Sequence, residues 1–163
     1  MADLPTLALS IRQPWAWAIL HAGKRIENRS WQAVSRGLSH RGPFCIHAAS
    51  GMTRAEYESA RAFIFKASGI QAPLPFGLDR GGIIGVASVV DIVTDSDDPW
   101  FMGARGLVLD DVRPVEFIPC RGMLGFFTWS RADDFTVEPE RWTRRWGQSG
   151  TEPSPLPLLP EAS

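Results

Sequence analysis

The feature that most constrains this chain is the way glycine punctuates its apolar segments. The longest apolar run, Gly82 to Val90, is interrupted by Gly85, and Gly81, Gly122 and Gly125 fall beside other strand-like stretches. Glycine in a strand weakens it and marks a bend, a bulge or the close approach of another element. Such a run is far below the ~18 apolar residues a membrane-spanning helix needs. The chain therefore offers short strands that bend, and bending strands can curl a sheet toward a small, partly closed barrel.

With 163 residues and 44% hydrophobic content the sequence is long enough for one well-buried core and too short for two. Residues 7–12 alternate as a half-buried strand does. Pro14 suits the first position of a helix whose apolar stripe is Trp15, Ala18, Ile19 and Ala22, and Gly23 is placed to end it. Residues 25–31 and 43–48 read as two further strands. Thr53-Arg54-Ala55-Glu56 has the form of a capping box, with Met52 and Tyr57 as the hydrophobic staple of a second helix that Gly69 stops. Strands are expected at 82–93, 105–109, 114–118 and 123–129, with Asp110-Asp111 as the turn between the second and third of these. The pattern predicts an α+β domain, a small β-barrel with two flanking helices, over residues 1–135. Residues 136–163 are expected to be a short helix from Pro139 followed by a proline-rich, disordered tail.

Two cysteines, Cys45 and Cys120, make no disulfide framework, and the N-terminus lacks the pattern of a signal peptide. A cytoplasmic protein with no membrane association is expected. The net charge of −1 hides an asymmetry. Residues 1–80 carry ten Lys/Arg against five Asp/Glu, and residues 81–163 carry seven against thirteen. Between Arg12 and Arg41 there are six basic residues and one acid, Glu27. A clustered basic stripe on a near-neutral protein is the footprint of a polyanion partner.

Within that stripe, Glu27, Arg29 and Trp31 share one face of a strand, and Ile26 points to the other. Lys24 sits in the glycine-led turn just before, free to be aimed at the same place. It is one of only two lysines against fifteen arginines. Lysine is a compact charge whose proton affinity falls on burial, so Lys24 can serve as a base or as a phosphate contact; a surface pair with Glu27 is the alternative. His40, Cys45 and His47 lack standard zinc spacing, and no metal or cofactor is expected.

The pattern L-S-x-x-Q-P-W-A (Leu9 to Ala16), then G-x-x-x-E-x-R-x-W with Lys24 after the glycine (Gly23 to Trp31), then R-G-x-x-x-I-H-A (Arg41 to Ala48), resembles the ASCH domain, named for activating signal cointegrator homology. The resemblance covers roughly residues 7–130. It implies a PUA-like β-barrel with a cleft beside the first helix and a membership associated with RNA or other nucleic-acid binding. Some similar members are small hydrolases, including an amidase acting on N4-acetylcytidine, in which a K-x-x-T-x-R motif has lysine activating threonine. Here Glu27 occupies the threonine position, and a carboxylate cannot take the place of that hydroxyl.

Three functions follow as expectations. The first is a binding domain for single-stranded RNA or a modified nucleoside. In it Arg12, Arg29 and Arg41 hold phosphate or a base edge together with Lys24, Gln13 and His47 hydrogen-bond, and Trp15 stacks. The second is a hydrolase, a ribonuclease or an N4-acylcytidine amidohydrolase, with Lys24 and Glu27 as catalytic residues. The third is a protein-interaction module, though no obligate protein partner is evident. Four prolines deny residues 151–163 helix or sheet, so deleting them is expected to leave the Tm essentially unchanged. A fall of many degrees in scanning calorimetry contradicts this.

Overall fold

The computed structural model describes residues 3–30 and 39–146, without the side chains of Arg145 and Trp146. Six strands form one mixed sheet: β1 (Leu7–Ile11), β2 (Ile26–Arg29), β3 (Gly42–Ala48), β4 (Gly82–Val93), β5 (Arg105–Pro119) and β6 (Phe126–Thr128). Their order is β2-β5-β4-β3-β1-β6, with β1 and β3 parallel and every other neighbouring pair antiparallel. Among the described residues two helices flank the sheet, α1 (Trp15–His21) and α2 (Arg54–Ser68). The architecture is the α+β, PUA-like small barrel that the sequence predicts.

The sheet curls because its long strands carry bulges. Register shifts interrupt the β4–β5 ladder in three places and the β3–β4 ladder between Ile46 and His47. At one of these, Ser88 pairs with Asp110 but Val86 pairs with Arg113, so β5 holds one residue more than β4. Asp111 takes that position at φ 50°, in the left-handed region that aspartate tolerates better than most residues. The expected turn at Asp110-Asp111 is therefore a bulge, and the two expected strands are one continuous β5. The last strand is also shorter than the 123–129 expected, because Gly125, at φ 67°, turns the chain just before it.

The main core lies between α1 and the concave sheet, where Ile19 packs among Leu9, Ile11, Phe44, Ile46, Val89, Leu107 and Leu109. Helix and sheet meet closely at Gly85. A Cβ there would lie 2.5 Å from Leu20 Cδ2 and 2.9 Å from the Arg113 carbonyl oxygen, so a side chain would force its neighbours to shift. Pro14 stands at the N-cap of α1 rather than at its first position, after a cis Gln13–Pro14 bond, and Gly23 follows the helix at φ 75°.

The second helix begins with the full capping box. Glu56 N–H donates to Thr53 Oγ1 and Thr53 N–H donates to Glu56 Oε2, each at 3.2 Å. Its buried face is Tyr57, Ala60 and Ile64, and Gly69 closes it at φ 73°. Ile64 meets Ala18, Ala22, Ile26 and Trp100, which seats α2 against α1 and β2. Tyr57 joins Met52 and Leu78 in a separate cluster against which Trp142 packs.

The packed body extends past residue 135. Arg80 donates to both carboxylate oxygens of Glu140 at 2.7 Å, and Trp142 Nε1 donates to the Met52 carbonyl from a 3-10 turn at Arg141–Trp146. The expected tail at 151–163 lies outside the described residues. Among those described, no helix is long and apolar enough to cross a membrane.

The capping box makes a quantitative prediction. Thr53→Ala is expected to destabilise the fold by about 1 kcal/mol, within the range measured for removed N-caps. Urea unfolding of the two proteins checks it.

Candidate functional site

Lys24 follows Gly23 at the end of α1, and its backbone N–H donates to the Ala18 carbonyl. The helix end thereby turns the lysine inward, under the Trp15 ring, with Nζ 5.8 Å from the ring centroid. The side chain is only 2% exposed. Its ammonium donates to the Ile26 carbonyl and, at 2.9 Å, to Glu27 Oε2. The other carboxylate oxygen of Glu27 stands 3.5 Å from a terminal nitrogen of Arg29. Two cations thus share one carboxylate, and the cluster keeps one net positive charge.

That surplus sits at Arg29. The same terminal nitrogen of Arg29 also donates to the Ser10 carbonyl at 2.9 Å, while its buried Nε has no hydrogen-bond partner among the described residues. In sheet order β5, β4 and β3 lie between β2 and β1, so this contact spans the mouth of the curled sheet. A buried donor left unpaired costs the full desolvation of the group.

Arg29 opens into a cleft of about 440 Å³ that is also lined by Ser10, Arg12, His47, Gly51 and the loop 122–125. His47 stands opposite Ser10 in the parallel β1–β3 pairing. Its Nε2 lies 2.7 Å from the Cys120 carbonyl and its Nδ1 lies 3.0 Å from Ser10 Oγ. A carbonyl can only accept, so the proton sits on Nε2, and Nδ1 accepts from the Ser10 hydroxyl. Burial holds the imidazole below its ordinary value of 6.5, and the Cys120 hydrogen bond opposes that shift. On the rim, Met123 and Leu124 are 64% and 81% exposed. Arg12 spends its charge on Glu56, donating from Nε at 3.0 Å and from a terminal nitrogen at 2.6 Å.

Of the residues the sequence singled out, the cleft gathers Arg12, Arg29 and His47. Glu27 and Lys24 stand behind Arg29 rather than on the cleft wall. Gln13 is buried elsewhere, its amide donating to the Asp79 carbonyl and accepting from Trp17 N–H. Trp15 packs edge-on against Phe63, with ring centroids 5.7 Å apart, and does not line this cleft. Arg41 is exposed and stands 3.4 Å from Asp91. Trp31 lies outside the described residues. Cys45 is buried and its thiol is pushed up to about 11 by desolvation, which leaves it a poor nucleophile or ligand.

Ser10 is not among the expected site residues, although it stands two residues before Arg12 in the expected strand 7–12 and therefore on the same face. The loop 122–125 falls largely within the expected strand 123–129, where Gly122 and Gly125 stand only as bends. Nothing local in its sequence shows that it folds back over His47.

Residues 9–103 match the ASCH domain family. That span is more than half of the chain, and the protein belongs to this family. Comparison with curated proteins finds no match.

The buried pair can be probed through stability. Lys24→Met leaves Glu27 buried without its nearest cation and is expected to cost about 3–5 kcal/mol, as broken buried pairs do. Lys24→Met with Glu27→Leu is expected to recover much of that loss, because no charge is then stranded. Denaturant midpoints of the single and double variants decide it. Equal destabilisation by both contradicts the pairing.

Proposed function

We propose that this protein binds single-stranded RNA or a modified nucleoside in the cleft between β1, β2, β3 and the loop 122–125. One observation carries the reading: Arg29 shares the Glu27 carboxylate with Lys24 and so brings a surplus positive charge to the cleft wall. An anion with acceptor oxygens, such as a phosphate, balances that charge. Ser10 and His47 stand beside it as polar contacts, and the exposed Met123 and Leu124 offer an apolar surface for a base. Stacking by Trp15 has no part in the proposal, since its ring is taken up by Phe63 and Lys24.

Lys24 and Glu27 act as positioning residues in this reading. Lys24 fixes Glu27, and Glu27 aims Arg29. A role for Lys24 as a proton carrier is not favoured, because its ammonium is buried and already engaged by Ile26 and Glu27.

Fluorescence anisotropy with labelled single-stranded RNA tests the proposal across a salt series. Arg29→Gln is expected to weaken binding for all sequences alike and to make the slope of log K against log[salt] shallower by about 0.7, the share of one single-strand phosphate contact. Arg41→Gln, away from the cleft, is expected to change little. Unchanged affinity and slope in a folded Arg29→Gln protein overturn the reading.

A further inference from the structure

The cleft holds a second chemistry that phosphate binding does not use. Ser10 Oγ donates to His47 Nδ1 at 3.0 Å, and the far side of the ring is fixed by Nε2 donating to the Cys120 carbonyl at 2.7 Å. A hydroxyl, a base within hydrogen-bond reach and a third group orienting that base form the arrangement of an activated nucleophile. The tautomer is the required one, with the ring's free lone pair facing the hydroxyl. Burial keeps the ring unprotonated near neutral pH.

A separate feature keeps the pair within reach of a ligand. Ser10 and His47 both line the cleft, and the loop from Gly122 folds against them. A Cβ on Gly122 would lie 2.8 Å from His47 Cε1 and 3.1 Å from Ser10 Oγ, so only glycine lets the loop come this close. Arg29, bonded to the Ser10 carbonyl, places a cation beside the hydroxyl's own residue. That charge favours an acyl group carried by an anionic compound.

We propose that Ser10 and His47 form a catalytic dyad acting on carboxylic esters or amides. Ser10 Oγ attacks the acyl carbon and its proton passes to His47 Nδ1. The carbonyl oxygen takes the displaced electron pair. When the carbonyl re-forms, the bond to the alcohol or amine breaks and the leaving group takes the proton from His47. Water then attacks the acyl-serine, giving up a proton to His47, and releases the acid as Ser10 recovers its own. The balance needs only substrate and water. The inference does not depend on nucleic-acid binding.

A fluorophosphonate probe tests it on the full chain, since the O–P bond to serine forms as fluoride leaves. Intact mass and peptide mapping are expected to find one adduct, on Ser10, and Ser10→Ala is expected to abolish it. His47→Gln, which keeps a donor and an acceptor, is expected to slow labelling by about 100-fold or more. Release of p-nitrophenol from p-nitrophenyl acetate is expected to follow the same order. No adduct on Ser10 of the folded protein overturns the proposal, as does labelling that a folded His47→Gln variant leaves unchanged. Should His47→Gln fail to fold by circular dichroism, the mapped wild-type adduct and its loss in Ser10→Ala decide the matter. Failure here leaves the Arg29 anisotropy result intact, so the two readings fall separately.

Discussion

The structure depends on a charge removed from water. Burying the Lys24 ammonium is costly, and the cost is tolerable only because Glu27 and the Ile26 carbonyl receive it. That requirement fixes how α1 ends, since the chain must turn at Gly23 and send its next side chain back under Trp15. It also fixes the direction of β2, whose Glu27 has to face inward. With one oxygen of Glu27 committed to Lys24, the other is left for Arg29, and Arg29 reaches across to β1. A side chain rather than a ladder of backbone bonds thus joins the first and fifth strands of the curled sheet.

The same cluster sets the electrical character of the cleft. Several other cations stand one-to-one with a carboxylate: Arg12 with Glu56, Arg80 with Glu140, Arg54 with Glu58. Such exposed or one-to-one pairs contribute little field. Two cations on one carboxylate cannot cancel, and the remainder is delivered where the sheet opens. The basic stripe seen in the sequence is therefore less informative than its one buried acid, because Glu27 decides which of the cations is still available to a ligand.

Local rules carried the sequence reading as far as they operate within a few residues. The start of α2 is legible because its cap, its staple and its reciprocal glutamate all lie between Met52 and Tyr57. The family pattern put Arg29 and His47 into one set of candidate ligand contacts. Long-range geometry was not legible in the same way. Asp110-Asp111 has the composition of a turn, and only the pairing of β5 with β4 shows it to be a bulge. Trp15 lies in a motif segment, yet its ring faces Phe63 of a helix 48 residues later in the chain. Ser10 could have been found from its parity with Arg12. Its partner His47 could be matched to it only once β1 and β3 were known to run parallel in register.

The sheet among the described residues ends in β2, of four residues, and in β6, of three. Free strand edges are templates for pairing with other chains, and brevity is one of the ways proteins protect them. The long strands β4 and β5 are kept in the interior, where both edges of each are satisfied. A three-residue β6 offers too few backbone groups to recruit a foreign strand, so the barrel can stay open at that edge without inviting self-association. Extending that strand would trade an open cleft for an aggregation-prone seam.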